Sequence, residues 1–566
     1  MSNVSAEMLK EAFIDPIRFA LLLDDDFPTY TQMTAQGTGQ AFDYERAGEL
    51  FAFCRQKGWL CDVDNAAAVT EKFEREKHLN QSDLLVLDFH LEPTKKDDPS
   101  KALSILQELA RSEHFNLVII YTSAEPAQVV REVSFSLGGG NELSELDFKE
   151  SEVFFEDLEE AVLDDVMQAC NLATIENYLS GKRPNGSSVD LRTALLRAGA
   201  HLKRHNTLID YACSEYFNKA IPASVVHSRL GCRKVEASFA EGNQTKWVSQ
   251  GNLFAVVVHK SEKPNVLIER LHSALVEWNP SPLRVLMIHA RASLEKAGTV
   301  ADEKVLDTPR RQAGWLLRVL LAKDDTEGRR YIQELYGRLF ERLIHSVEGG
   351  MVDFGMRLIV RGDLDPVEAA KLMAAAPATM SSDNIYHALN EHLCSDLNKD
   401  MVMTTGVIFR ADRNGVYFYW LCVSPACDLV PGQNAGGWDG DLHPIRPISA
   451  VRLSPVRNSQ AVALRLKEAT QGRHVFVHID NVPVALEVAD SDSRQMKIET
   501  VLVANEGAIE ELRFDGFTIS CLDQGPVVQP IVFEVVAVLR ADYANRLLAE
   551  SGYQRSRIGV DFVNLP

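Results

Sequence analysis

The stretch DLLVLDFHLEP, residues 83–93, sets four consecutive apolar residues between two aspartates. A strand with one face in water alternates apolar and polar side chains. A strand that is apolar at every position is covered on both faces, as in a parallel sheet flanked by helices. IRFALLL at 17–23 and NLVIIY at 116–121 have the same character, and GWLCDV at 58–63 is a weaker version. Between these runs, residues 41–57, 65–79, 100–113 and 126–135 carry apolar side chains at helical spacing. Strands and helices in strict alternation predict a doubly wound α/β domain with a parallel sheet.

In such a sheet, ligands collect beyond the carboxyl ends of the strands, near the point where strand order reverses. The polar residues that end each strand are therefore the candidate chemistry. The first strand runs into Asp24, Asp25 and Asp26, the third into Asp88, and the fourth into Thr122 and Ser123. Adjacent carboxylates repel one another and need a cation. A hard divalent ion such as Mg2+ takes oxygen ligands and bridges to phosphoryl groups. A carboxylate is also a competent nucleophile toward phosphorus, and a hydroxyl can hydrogen-bond a phosphoryl oxygen. Each residue alone reads as well as a turn former or a helix cap. Their occurrence at three successive strand ends points to phosphoryl transfer.

LLLDDDFP, DLLVLDFHLEP and VIIYTSAEP together resemble the receiver domains of two-component response regulators, over roughly residues 15–135. The resemblance implies a flavodoxin-like fold, Mg2+ oriented by Asp24 and Asp25, and Asp88 as phosphoacceptor. It further implies that the backbone carbonyl of His90 completes the metal shell, that Thr122 is the switch hydroxyl, and that Ser123 leaves access to Asp88 open. Its partner would be a sensor histidine kinase. Two features depart from the family. The segment TYTQMTAQGTGQAF lengthens the gap before Asp88, and the family's lysine at the end of a fifth strand has no clear counterpart. Lys149, in LDFKE, is the nearest in order, within the acidic segment 142–165 whose apolar spacing suits helix.

The rest of the chain reads as further domains, since 566 residues exceed what one hydrophobic core holds. The expected division is a receiver-like domain over 1–185, a mostly helical α/β middle region over 189–375, and a mainly antiparallel β domain over 376–566. KRPNGSS at 182–188 is the clearest linker, and Gly138 to Gly140 read as a flexible break. In the middle region, 253–258 and 283–289 look like strands, and 311–346 like two helices. In the last, GVIFRADRNGVYFYWLCV predicts a hairpin around Asn414-Gly415, and strands are expected at 461–466, 474–479, 498–503, 516–521 and 530–538. RADYANRLLAESGYQRSRIGVDFV reads as a helix followed by a final strand.

With 59 basic against 80 acidic residues, the net charge is −21, which disfavours duplex DNA as a partner. The only basic clusters are short, such as HLKRH at 201–205. Nine scattered cysteines with no CxxC pair suggest free thiols in a reducing compartment. No basic-then-apolar leader opens the sequence and no run approaches the roughly 18 apolar residues of a membrane span, so a cytoplasmic protein is expected. SPACDLVPG at 424–432 offers Cys427 and Asp428 as a nucleophile pair, or as metal ligands with Cys394, His387 or His392, although no spacing matches a zinc pattern.

A divergent receiver on a long chain without a DNA-binding output also resembles the phosphate-buffering receiver proteins of the Detocs anti-phage two-component systems. There, a kinase feeds both a toxic effector and a buffer that absorbs stray phosphoryl groups. The resemblance implies a phosphate sink, with a second receiver protein competing for the same kinase. The alternatives are an effector whose C-terminal region is an enzyme activated by phosphorylation, and an adaptor that only docks the kinase.

Overall fold

The computed structural model describes residues 4–30, 32, 42–64, 82–91, 98–182, 186–221, 226, 230–239, 244–298, 308–322, 325–360, 362–396, 402–430, 439–489, 495–522 and 525–556. The chain forms two compact units, residues 1–364 with 372–375, and residues 365–371 with 376–566.

The first unit is built on a seven-stranded sheet. Its strands are β1 (Phe19–Leu23), β2 (Leu60–Asp64), β3 (Leu84–Leu87), β4 (Asn116–Thr122), β5 (Glu236–Ala237), β6 (Lys246–Gln250) and β7 (Leu253–His259), in the order β2-β1-β3-β4-β7-β6-β5. The pairings β2–β1, β1–β3, β3–β4 and β4–β7 are parallel. The first five positions therefore have the 2-1-3-4-5 order of a flavodoxin-like sheet, with β7 as the fifth strand. Strands β6 and β5 add to it antiparallel.

The apolar runs are dealt alternately to the two faces, as the period of two requires. Leu21, Leu23, Leu85, Leu87, Val118, Ile120, Ala255 and Val257 face one core, which the helices Ser100–Arg111 and Pro126–Ser136 cover. Ala20, Leu22, Leu84, Val86, Ile119, Phe254 and Val256 face the other, under the helices Tyr44–Gln56 and Leu267–Trp278. Local chemistry sets the helix starts: the Asp43 carboxylate accepts from the Arg46 amide at 3.0 Å, and Pro126 opens its helix with φ already helical.

Several expectations change. The expected boundary at 185–189 falls within the sequence that builds this one sheet, because β7 belongs beside β4. The helices between β4 and β5, including Glu145–Glu156, Glu160–Gln168, Leu172–Leu179, Val189–Arg197 and His205–Ala220, pack on the first core. Residues 283–289 lie in the helix Pro282–Gly298 and not in a strand: proline fits the first helical position, and Leu, Arg, Met and Ala are strong helix formers. Gly138 to Gly140 are a close crossing and not a flexible break. Gly138 and Gly140 have φ of +97° and +127°, and a Cβ on Gly138 would stand 2.5 Å from the Gly231 carbonyl oxygen. The expected helix at 65–79 lies outside the described residues. The two helices expected in 311–346 are Pro309–Leu320 and Asp325–Leu358.

The second unit is an antiparallel barrel. Strands β8 (Ser395–Asp396), β9 (Val407–Arg413), β10 (Val416–Cys422), β11 (Arg446–Val456), β12 (His474–Ile479), β13 (Val482–Glu487), β14 (Lys497–Val503), β15 (Arg513–Leu522) and β16 (Gly525–Leu539) make its sheet; eight run in the order β10-β9-β16-β15-β14-β11-β13-β12, and β8 pairs with β16 off this path. Pairing of β10 with β11, Tyr419 opposite Leu453 and Leu421 opposite Val451, closes six of them into a ring. The β9–β10 hairpin turns at Asn414 and Gly415, both at positive φ (56° and 81°), as a two-residue turn demands. Phe409, Trp420, Ile448, Val501, Phe514 and Phe533 fill the interior. Residues 461–466 form part of the helix Ser459–Lys467, capped by the Asn458 side chain, and not a strand. The closing helix is Ala541–Arg555, and the final expected strand lies outside the described residues.

No helix among the described residues is long and apolar enough to cross a membrane.

Candidate functional site

The strand order reverses between β1 and β3, and the acidic residues stand at that edge. Asp24 and Asp25 follow β1, and Asp88 follows β3. Backbone hydrogen bonds carry the sheet one residue further: the Asp24 amide donates to the Asp64 carbonyl at 3.2 Å and the Asp88 amide to the Leu23 carbonyl at 2.8 Å. The turn after β1 is fixed by the Asp24 carboxylate accepting from the Asp26 amide at 3.0 Å. Asp24, Asp25 and Asp88 are all buried, at 3, 8 and 6% exposure, while Asp26 is exposed. One carboxylate oxygen from each of the three lies within 4.8 Å of the others, and among the described residues no other group of His, Cys, Asp and Glu meets that condition.

Lys260 enters the same site. It follows β7, whose His259 pairs in register with Thr122 of β4, and its amide donates to the Thr122 carbonyl at 2.7 Å. Its ammonium group bridges Asp24 Oδ2 and Asp88 Oδ2, each at 2.9 Å, and is itself buried. This corrects the assignment of the fifth-strand lysine. Lys149 stands on the solvent side of the helix Glu145–Glu156 and, among the described residues, pairs with Glu145, one turn away at 2.7 Å. The sequence signal for Lys260 is the strand run LFAVVV just before it, whose local pattern does not say which sheet it joins.

Thr122 ends β4 fully buried, its hydroxyl accepting from the Ala124 amide at 3.1 Å. Ser123 is exposed beside it, and its carbonyl contacts His259 Nε2 at 3.1 Å. His90 is half-buried two residues beyond Asp88, and its backbone amide lowers the Asp88 pKa.

Three carboxylates facing one ammonium leave an excess of negative charge in a buried site. Burial pushes the Asp24 carboxyl up to about 6; Lys260 pulls against this and Asp88 adds to it. Burial, then repulsion from Asp26 and Asp24, pushes Asp25 up to about 6 as well. Asp88 is raised by burial against the pull of Lys260. Burial lowers the Lys260 pKa, but the two carboxylates outweigh it and hold the group above its usual value. Oxygen donors, closely spaced and short of positive charge, fit a hard divalent cation.

Because Asp24 and Asp25 bind protons more tightly folded than unfolded, the metal-free fold loses stability as pH rises from about 4 through about 6. A rise of about two pKa units corresponds to about 2–3 kcal/mol. Urea unfolding in chelator across this range should show that loss in the parent chain, and Asp24→Asn with Asp25→Asn should flatten it.

Cys394, His387 and His392 do not join Cys427 in a metal-ligand cluster among the described residues. The Cys394 thiol donates to the Phe476 carbonyl at 3.4 Å, His387 Nε2 contacts the Val484 carbonyl at 3.1 Å, and His392 is exposed. Cys427 is exposed and touches Asp428 at 3.2 Å, and that carboxylate raises the thiol pKa, the reverse of activation.

No curated protein and no solved structure shows a significant similarity to the chain. Residues 16–167, a little over a quarter of the chain, match the response receiver domain family. A receiver domain here supports a response regulator of a two-component system, a class whose phosphodonor is a histidine kinase and whose receivers typically bind Mg2+.

Proposed function

We propose that Asp88 accepts a phosphoryl group from a sensor histidine kinase, and that the chain acts as a phosphate sink which raises the threshold of an anti-phage pathway. The observation that carries the phosphoacceptor reading is the bridge from Lys260 to Asp24 and Asp88 at the reversal point of the sheet. A lone strand-end aspartate would be a turn residue; burial with two other carboxylates and a lysine supports a reactive role.

In this reading an Asp88 oxygen attacks the phosphorus of a phosphohistidine. The O–P bond forms as the P–N bond breaks, and the imidazole leaves with the electron pair and takes up a proton. Water then hydrolyses the acyl phosphate, releasing inorganic phosphate and restoring the carboxylate. Asp24, Asp25, Asp88 and the His90 carbonyl would hold Mg2+, which supplies charge neutralisation for the transferring group. Lys260 exchanges a carboxylate partner for a phosphoryl oxygen, and the Thr122 hydroxyl turns toward another. Ser123, small and exposed, leaves the approach open.

Mixing the chain with its phosphorylated kinase should move label onto the chain in a hydroxylamine-sensitive form. Label that stays on the kinase in the presence of Mg2+ would overturn the reading. The sink role predicts in addition that the chain drains label from a second receiver protein fed by the same kinase. The effector alternative predicts cell toxicity on activation that Cys427→Ala abolishes. The adaptor alternative predicts kinase binding without Mg2+ binding. Mg2+ should stabilise the folded chain at pH 7.5, and the effect should fade below about pH 6 as the carboxyls take up protons.

A further inference from the structure

A cavity of about 780 Å³ beside β5 and β6 also has aromatic and basic walls, and the thiols of Cys170 and Cys213 meet at 3.7 Å in the first core. The barrel of the second unit carries an inference further than either.

Inward and outward residues alternate along barrel strands. On β9 the inward row Phe409, Ala411 ends in Arg413; on β11 the row Ile448, Ala450 continues to Arg452; on β14 the row Val503, Val501 continues to Glu499 and Lys497. One end of the barrel interior is thus an apolar plug and the other is charged. The charged end opens into a cavity of about 430 Å³, lined from all six strands of the ring. That size lies within the roughly 300–1,000 Å³ of small-molecule sites, and barrel mouths are a common place for them.

The charge there runs against the chain's net −21. Among the described residues Arg452 and Lys497 pair with one carboxylate, Glu499, and Arg413 lines the same cavity. That carboxylate already accepts from the Trp420 indole at 2.8 Å and stands 3.4 Å from Lys497 and 3.8 Å from Arg452. Arg413 Nε is buried and has no hydrogen-bond partner among the described residues. Arg410, three residues earlier and so on the other face of β9, is fully engaged by Asp480 and Glu534 at 2.7–3.2 Å. Burial lowers the Arg452 pKa; Glu499 opposes this and Arg413 adds to it, so the inward cations are under-compensated.

Both arginines lie over aromatic rings. The Arg452 guanidinium lies 4.1 Å from the Phe418 centroid and 4.5 Å from that of Trp420, and Arg413 lies 5.5 and 5.6 Å from the same two. Phe517, half-buried, adds further aromatic wall. Planar guanidinium groups stacked on rings are pre-organised donors for phosphate, and a flat ring is the shape that extends such a stack.

We propose that the mouth of the C-terminal barrel binds a mononucleotide-class ligand, a phosphomonoester bearing a planar heteroaromatic ring. The phosphate meets Arg413, Arg452 and Lys497, and the ring stacks on the aromatic wall.

Calorimetric titration of the full chain with adenosine 5′-monophosphate tests this. Binding is expected, weakened by added salt, and at least about tenfold tighter than that of adenosine or inorganic phosphate alone, since charge-assisted contacts and stacking each contribute about that much. Arg413→Gln should weaken it about tenfold or more. Lys497→Gln, at a side chain 75% exposed, should weaken it in the same direction. No binding of the adenosine, guanosine, cytidine or uridine monophosphates at millimolar concentration overturns the proposal. So does equal binding of phosphate and adenosine 5′-monophosphate, or binding unchanged in both variants.

Discussion

Asp88→Asn should reduce phosphoryl transfer from the kinase to below about 1% of the parent rate while making the metal-free fold more stable. The first effect follows from the nucleophile. An amide oxygen carries no full negative charge, and it forms no acyl phosphate that water could turn over. The second follows from the electrostatics of the site. Asp88 raises the Asp24 pKa, and its own is raised by burial, so the ionised carboxylate is costly where it sits. An asparagine keeps the shape and removes that charge, leaving Lys260 its 2.9 Å contact to Asp24. Phosphotransfer assays and urea unfolding in chelator should therefore move in opposite directions. Loss of transfer accompanied by loss of stability would mean only that the fold had been damaged. Unchanged transfer would remove Asp88 from the reaction.

The same balance explains which parts of this protein could be read from its sequence. Asp24, Asp25, Asp88 and Thr122 were legible because each ends an apolar run, and strand order alone brings such ends to one edge of a doubly wound sheet. Lys260 is not legible, although LFAVVV reads as a strand, because residues 123–252 separate it from β4 and local pattern does not say which sheet a strand joins. Only the parallel pairing of Asn116–Thr122 with Leu253–His259 makes it the fifth strand. The barrel was half legible for a similar reason. Its strands alternate and its Asn414-Gly415 hairpin is local, but ring closure depends on β10 meeting β11 across an intervening turn and the helix Asp439–Leu442. Without that closure, Arg413, Arg452 and Lys497 read as scattered surface charges in an acidic chain. The misread segments, 283–289 and 461–466, are short apolar runs in which helix and strand patterns coincide. Pro282 and Asn458, a helix opener and a helix cap, were the deciding residues.

Lys260→Met should destabilise the metal-free chain by about 3–5 kcal/mol at pH 7.5, the usual cost of removing one partner from a buried ion pair. The lysine is the only cation hydrogen-bonded to Asp24 and Asp88 among the described residues, and all three side chains are less than a tenth exposed. Its removal leaves the carboxylates with burial and mutual repulsion but no compensation, so their pKa values rise further. The penalty therefore has a definite pH dependence. It is largest where both groups are ionised and shrinks as pH falls and they take up protons, because the missing charge then no longer matters. Mg2+ should reverse much of it at pH 7.5, because a cation bound by Asp24, Asp25 and Asp88 offsets the same charge. Lys149→Met provides the contrast: its pair with Glu145 is exposed on both sides and its loss should cost less than about 0.5 kcal/mol at any pH. Urea unfolding of the two variants at pH 5 and 7.5, with chelator and with Mg2+, separates the two lysines. Equal stability of Lys260→Met and Lys149→Met at pH 7.5 in chelator would mean that Lys260 does not carry the charge balance of the site, and the phosphoryl-binding role proposed for it would lose its physical basis.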